Sequence, residues 1–422
     1  MEKYNEYKDS GVQWLGEIPS HWKIRRIKWL FREEDEKNVN LTYQLLSFSR
    51  NKGIIPFSAI NEKAPSASDL SKYKVLHEGQ LLENRMQAWS GMFGCSHIEG
   101  CVSPDYSVFS PYDSNVVTEY YACLFRIPIF VQQFANASKG IGDGFNRLYT
   151  PQFHKIYAIV PSTIEQHAIV FYLDAKCSKL DMFISNKEKE ITLLQEMKQR
   201  VITDAVTRGL NPNVKFKPTN IPWLPEIPEY WKIKRAKNMF KKEQRPIQYD
   251  DEIVTCFRDG EVTLRKNRRT SGFTEATDYS HYQHICKGDL VIHQMDAFAG
   301  SSGVSDSDGM GTPVLSVCTP KIEGIDNYYY AHVLRIMGKN GFILSLYRGI
   351  RERSSDFRFD TFIKQWLPVP PIEEQHAIVS YITERVAKID SLVEKLNKEI
   401  ECIKEYKQRL ISDVVTGQIK VS

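Results

Sequence analysis

The chain repeats itself. Trp14-Leu15-Gly16-Glu17-Ile18-Pro19-Ser20-His21-Trp22-Lys23-Ile24 returns 209 residues later as Trp223-Leu224-Pro225-Glu226-Ile227-Pro228-Glu229-Tyr230-Trp231-Lys232-Ile233. Glu165-Gln166-His167-Ala168-Ile169-Val170 returns at the same offset as Glu374-Gln375-His376-Ala377-Ile378-Val379, and Lys198-Gln199-Arg200 as Lys407-Gln408-Arg409. Such self-similarity means two copies of one structural unit. The stretch between the matching blocks diverges. Only a framework stays common to both copies, including Gly79, Met86, Ala88, Gly91 and Gly94, matched by Gly288, Met295, Ala297, Gly300 and Gly303. Each unit is therefore a shared flank, a variable globular part and a shared tail.

The tail reads as a long helix. Ile382, Ile389, Leu396, Ile403 and Leu410 recur every seventh residue, with Val386, Val393, Ile400 and Val414 as the second seam. The first copy offers Leu173, Leu180, Leu194 and Val201, with Cys177, Ile184, Ile191 and Ala205 beside them. Sustained heptads with charges elsewhere predict a coiled coil. Ser162 or Thr163 caps the first helix, and Pro370-Pro371 precedes the second. Lys198 and Lys407 interrupt the seam at equivalent positions. Either they fix register or they snorkel from the seam edge. A helix of about 40 residues is roughly 60 Å long. The economical arrangement pairs the two antiparallel, with a globular part at each end and a pseudo-twofold axis.

The variable parts carry short alternating runs (Tyr43–Phe48, Val108–Tyr112, Ile253–Phe257, Asp289–Gln294) and helical stretches (Glu119–Phe134, Asp326–Gly338), which is an α+β pattern. Trp22 and Trp231 read as core anchors. With 422 residues and a net charge of only +4, any nucleic-acid binding must come from local clusters. No apolar run reaches a membrane span and no apolar leader opens the chain, so a cytoplasmic protein is expected. Eight scattered cysteines without a Cys-x-x-Cys pair read as free thiols.

Catalytic signatures are missing. There is no phosphate-binding Gly-x-x-x-x-Gly-Lys-Ser/Thr loop, no Gly-x-Gly-x-x-Gly fingerprint after a strand, no Asn/Asp-Pro-Pro-Tyr and no Gly-x-Ser-x-Gly. The His281-x-x-His284 pair lacks a third ligand at recognisable spacing, so no metal is expected. Basic clusters do occur in the divergent parts. Arg265, Lys266, Arg268 and Arg269 form the densest. Arg348, Arg351 and Arg353, with Arg358, form another. Arg50, Lys52, Lys139 and Arg147 are their rough first-copy counterparts. Arg85 and Gln87 of Asn84-Arg85-Met86-Gln87-Ala88-Trp89 are matched by Gln294 and Asp296 in the second copy, with Met and Ala kept. Any one of these residues alone is better read as part of a solvated face. Together, in the divergent parts, they suit DNA, with arginine, asparagine and glutamine on base edges and lysine on phosphates.

The flank Trp-Leu-Gly-Glu-Ile-Pro-x-x-Trp, the Pro-x-x-x-Glu-Gln-x-x-Ile that opens each helix and the Lys-x-x-Leu/Val-Ile-x-x-Val-Thr that closes it resemble the DNA specificity subunit of type I restriction–modification systems. The resemblance runs along nearly the whole chain. Gly16 becomes Pro225 in the second flank, a modest departure. It implies an α+β chain with two globular α/β target-recognition domains in tandem, at 1–159 and 211–368, separated by antiparallel coiled-coil spacer helices at 160–210 and 369–422. Each domain would read one half of an asymmetric bipartite site in double-stranded DNA. The chain would be non-catalytic and bind no cofactor. Two modification subunits would carry S-adenosylmethionine and methylate adenine at N6, and up to two restriction subunits would use ATP and Mg. Leu173, Leu180, Ile184, Ile191, Leu194, Val201, Ile382, Ile389, Val393, Leu396, Ile400, Ile403 and Leu410 would serve spacing and partner binding. The rival class is a coiled-coil scaffold with two heads for protein or glycan.

Overall fold

A computed structural model describes residues 2–50, 52–59, 69–140, 146–269, 271–272, 278–346 and 357–421. The chain divides into two compact units. One is Met1–Glu188 with Asn397–Ser422, and the other is Lys189–Leu396. The division passes through both long helices, so each unit holds half of each.

In the first unit, four antiparallel strands form the main sheet in the order Phe31–Glu34, Tyr106–Pro111, Leu81–Asn84, Phe93–Cys95. In the second, the order is Phe240–Glu243, Leu315–Pro320, Leu290–His293, Ser302–Val304. Each of these four strands begins 209 residues after its counterpart. The flank supplies a further strand to each unit, Lys23–Arg26 against Tyr157–Val160 and Lys232–Arg235 against Trp366–Val369. The mixed strand and helix content is that of the expected α+β class.

Apolar residues from sheet, flank and helices bury together. The first core joins Trp22, Phe31, Phe93, Phe109, Tyr120 and Phe125 with Leu173, Leu410 and Val414 of the long helices. The second joins Trp231, Phe240, Tyr329, Tyr330 and Leu334 with Ile202, Val206, Ile378 and Ile382. One expectation needs correction. Glu119–Phe134 is not a single helix but two, Thr118–Leu124 and Pro128–Ala137. Pro128 drives Ile127 into extended backbone (φ −76°, ψ 150°) and opens the second helix at its first turn. Asn327–Lys339 in the other unit has no such proline and stays continuous.

The two long helices are Thr163–Arg208 and Ile372–Val415. Ser162 closes a capping box on the first. Its hydroxyl oxygen accepts from the Glu165 amide at 3.3 Å, and the Glu165 carboxylate accepts from the Ser162 amide at 3.1 Å. Within each unit the two half-helices run antiparallel. Lys187 and Lys407 meet Glu399 and Asp181 in the first unit, so the numbering falls along one helix as it rises along the other. The predicted seam faces inward, with Leu173, Ile382, Ile389, Leu396, Ile400 and Leu410 buried and Leu180, Ile184, Ile191, Leu194, Val201, Val393 and Ile403 half-buried.

The shared motifs are the latches of this arrangement. Trp22 donates its indole N–H to Glu165 at 2.9 Å, and Trp231 donates to Glu374 at 2.9 Å. Buried Gln166 accepts from the Val117 amide and donates to the carbonyls of Asn115 and Pro161. Gln375 does the same with Asp326, Gly324 and Pro370. The Tyr120 hydroxyl donates to the Val415 carbonyl and that of Tyr329 to the Val206 carbonyl, both at 2.9 Å. Each buried tyrosine thus satisfies one carbonyl left open at a helix end. Beyond those ends stand Gly209 and Gly417 in left-handed backbone. A Cβ on Gly417 would lie 2.6 Å from Pro19 and 2.8 Å from Trp22, so only glycine seats there without displacement.

Candidate nucleic-acid interface

The sequence signals converge on one turn in each globular part. After Leu81–Asn84 the chain leaves the sheet, makes a short 3-10 turn at Ala88–Ser90, reverses at Gly91 (φ +81°) and returns as Phe93–Cys95. The second copy does the same through Ala297–Ala299 and Gly300 (φ +100°). The shared Ala88 and Ala297 are buried, whereas the shared Met86 and Met295 are 38% and 45% exposed. The framework alanine anchors a tip whose other residues reach solvent. In the first copy these include Gln87 and Trp89, the latter 42% exposed and tied by its indole N–H to the Met86 carbonyl at 2.8 Å.

Contacts gather most of the first-copy candidates around this tip. Arg50 donates to the Ser90 carbonyl at 2.9 Å and to its hydroxyl at 2.7 Å. Lys52 follows, exposed, in the same hairpin. The Arg85 carbonyl accepts from the Leu148 amide at 3.1 Å, and Arg147 is backbone-paired with Lys139. Arg147 also lies 3.6 Å from Asp105. Arg85 is less available than its charge suggests. Its guanidinium donates to the Ser107 hydroxyl at 2.7 Å and to Glu33 at 2.8 Å. Glu83, cross-strand from Ser107, is fully buried, and burial pushes its carboxyl up to about 8. Burial also opposes charge on Glu33, but the Thr150 hydroxyl, Lys74 and Arg85 outweigh it and hold that carboxyl below its ordinary value.

The second copy reuses the scaffold with other chemistry. Gln294 stands where Arg85 does. It donates to the Ser316 hydroxyl, the counterpart of Ser107, at 3.2 Å, and its carbonyl accepts from the Phe357 amide, the counterpart of Leu148, at 2.8 Å. Arg265 and Lys266 lie on a 3-10 turn following strand Val262–Leu264. Lys266 pairs with Glu252. Arg268 pairs with Asp259 and Glu261 at 2.7 and 2.8 Å and lies 4.3 Å over the Phe257 ring. Arg269 donates to the carbonyls of Ser271 and Gly272. Arg258, which the clusters in the sequence did not include, donates to Asp296 of the tip at 2.8 Å and is exposed. The equivalent of Asp296 is Gln87, so the two tips differ in charge. Arg348, Arg351 and Arg353 lie outside the described residues.

The seam residues proposed for spacing and partner binding are turned into the chain itself. A different set on the first long helix faces outward. Ile164, Phe171, Met182 and Leu193 are 82%, 78%, 62% and 64% exposed. They follow one another by seven, eleven and eleven residues, close to two, three and three turns, and so share one helix face. The heptad reading missed them because it follows a different face. The second long helix has Glu373, Ser380, Ser391 and Cys402 at the equivalent positions. Among the described residues no helix is long and apolar enough to cross a membrane.

No family model matches the chain. Two curated relatives come from Methanocaldococcus jannaschii. The type I restriction enzyme MjaVIII specificity subunit is 24% identical over 293 residues, a match that spans 66% of this chain and 66% of that relative. The putative type I restriction enzyme MjaX specificity subunit is 22% identical over 443 residues, 96% of each chain. Among solved structures, a chain from a study of complex assembly and conformational transition of the type I R-M system aligns with a TM-score of 0.68 at 13% identity, covering 95% of this chain and 99% of that one. The HsdS subunit from Thermoanaerobacter tengcongensis aligns with a TM-score of 0.54 at 14% identity, covering 95% and 98%. The flank and helix motifs thus resemble proteins that this chain matches in sequence and shares a fold with.

Proposed function

We propose that this chain is the DNA specificity subunit of a type I restriction–modification system and carries no catalytic step itself. Each globular part reads one half of a bipartite site, and the paired long helices set the gap between halves. One observation carries the reading. The two units share strand order and latches at a constant 209-residue offset, yet differ at the tips, where Gln294 and Asp296 occupy the positions of Arg85 and Gln87. A common scaffold with unlike tips suits two unlike half-sites, hence an asymmetric target. Exposed Gln87 suits an adenine edge and exposed Lys52 a phosphate, whereas Arg85 reaches a guanine edge only by leaving Glu33 and Ser107. Domains on one face of the duplex favour half-site centres about one helical turn, roughly 10 base pairs, apart.

The outward apolar face of the first long helix supplies a docking surface for a modification subunit, the S-adenosylmethionine-dependent partner that would methylate adenine N6. Restriction subunits driven by ATP and Mg would join that assembly in the cytoplasm. The deciding experiment is a base-resolution adenine-methylation map of cells making this chain with its modification subunit, against cells lacking it. A new gapped, asymmetric motif methylated on both strands is expected. A protein- or glycan-binding scaffold would yield no motif, and its binding would lack the steep fall with salt that phosphate contacts impose.

A further inference from the structure

A second chemistry sits in the Lys189–Leu396 unit, on a strand pair outside its main sheet. Strand Gln283–Ile285 pairs antiparallel with Gly309–Gly311, with Ile285 opposite Gly309. Continuing that register sets Cys286 opposite Asp308. The two-residue period of an extended chain puts His284 on the same side as Cys286. One potential ligand atom from each of His284, Cys286 and Asp308 lies within 4.8 Å of the other two.

The donors are pre-positioned. His284 is 6% exposed, and both carboxylate oxygens of nearly buried Asp251 lie 2.9 Å from its Nδ1. Its Nε2 meets the Gln248 side-chain amide nitrogen at 3.3 Å, a contact that a metal ion on Nε2 would replace. A carboxylate on the ring nitrogen opposite the ligating one is the outer-shell arrangement that metal-binding histidines use. The Lys287 amide donates to Asp308 at 2.9 Å, and the Cys286 amide donates to Asp289 at 2.8 Å, which Arg245 clamps in turn. A thiolate and a carboxylate offset the charge of a dication, and the imidazole adds a third ligand.

We propose that His284, Cys286 and Asp308, oriented by Asp251, bind a zinc(II) ion. The mixed sulfur, nitrogen and oxygen set suits zinc rather than magnesium or calcium, which take oxygen ligands. A fourth position is left to water. The ion ties the end of the Gln283–Ile285 strand to the turn that enters Gly309–Gly311. Binding releases the thiol proton to solvent and involves no oxidation or reduction.

The test uses the full chain with zinc(II), competed against a chromogenic chelator, and with cobalt(II) as a spectroscopic substitute. The wild type should hold one zinc that Cys286→Ser and His284→Gln both lose. Cobalt should give a thiolate charge-transfer band that Cys286→Ser removes. Asp251→Asn, which deletes no ligand, should weaken affinity about tenfold or more. Asp308 is exposed, so Asp308→Asn tests the site without endangering the fold, and it should weaken binding while keeping the band. Cys95→Ser is the control, because Cys95, His97 and Glu119 form the other such group among the described residues. It should leave the Cys286-dependent equivalent intact. Equal zinc content and an equal cobalt band in wild type and Cys286→Ser would overturn the proposal, as would a wild type stripped completely by gel filtration.

Discussion

The Lys198 ammonium donates to both carboxylate oxygens of Asp390, at 2.7 and 2.8 Å. Their equivalents pair in the other unit with the roles exchanged between helices. Lys407 donates to both oxygens of Asp181, at 2.6 and 2.7 Å. Each seam lysine thus reaches an aspartate of the other long helix, the contact a register pin requires. Their energy is modest, because Lys198 and Asp390 are 32% and 55% exposed. Exposed pairs contribute about 0.2–1 kcal/mol. A double-mutant cycle on Lys198→Ala and Asp390→Ala should return a coupling energy in that range, shrinking in high salt. Exchanging the two charges, with Lys198→Asp and Asp390→Lys made together, should recover most of it. A coupling energy of zero with unchanged salt response would remove the pin.

Acid should loosen the first flank by a predictable route. Burial opposes charge on Glu165, but hydrogen bonds from Trp22, His21 and Ser162 outweigh it and lower the carboxyl from 4.5 to about 2. The folded value is depressed, so the stabilisation is complete above about pH 4.5 and is lost as pH falls towards about 2. The melting-temperature difference between wild type and Glu165→Gln should be largest near neutral pH and shrink across that window. A difference independent of pH would show that the Trp22 latch works through shape alone.

Much of this was legible from residues alone, and the reasons differ by feature. The repeat made the shared scaffold visible, and the heptads gave the inward helix face, because burial selects for apolar period. The Trp-to-Glu latches were invisible. Trp22 and Glu165 are 143 positions apart, and nothing local marks a tryptophan as a donor rather than a core anchor. It is both. Pro128 did mark the break in Glu119–Phe134, but the apolar run around it masked the signal. The basic clusters overstated availability, since charge in sequence does not reveal that Arg85 is spent on Glu33 and Ser107, or Arg268 on Asp259 and Glu261. The His284 group escaped because strand register, not spacing, brings its members together. His281, the residue that made the histidine pair tempting, is exposed and stands outside that group.

The outward face of the first long helix makes a prediction of its own. Phe171 is 78% exposed, so replacing it removes little buried surface, and Phe171→Glu should shift the thermal midpoint by no more than a degree or two, within the about ±0.5 kcal/mol usual for surface changes. The same change should weaken association with the modification subunit at least tenfold, since a charge would face an apolar contact. Its second-helix counterpart is already Ser380. Ser380→Glu should therefore have the smaller effect, measured by titration with the same partner. Equal affinity for Phe171→Glu and wild type would relocate the docking surface.

The ruler reading makes the sharpest demand on the seam. Four extra residues, about 6 Å of helix, would lengthen the spacer but add a stutter to the heptads. Seven residues inserted at matched positions in both helices keep the apolar phase and add about 10.5 Å. That length corresponds to about three base pairs at 3.4 Å each. The tips, sheets and latches are untouched, so both half-site sequences should stay as they are, while the unread gap in the methylation map widens by about three. Replacing residues 32–155 with those of another such chain should do the converse, changing one half-site and leaving gap and second half-site alone. An insertion that altered a half-site, or an exchange that altered both, would separate recognition from the modular tips and place it in the assembled complex instead.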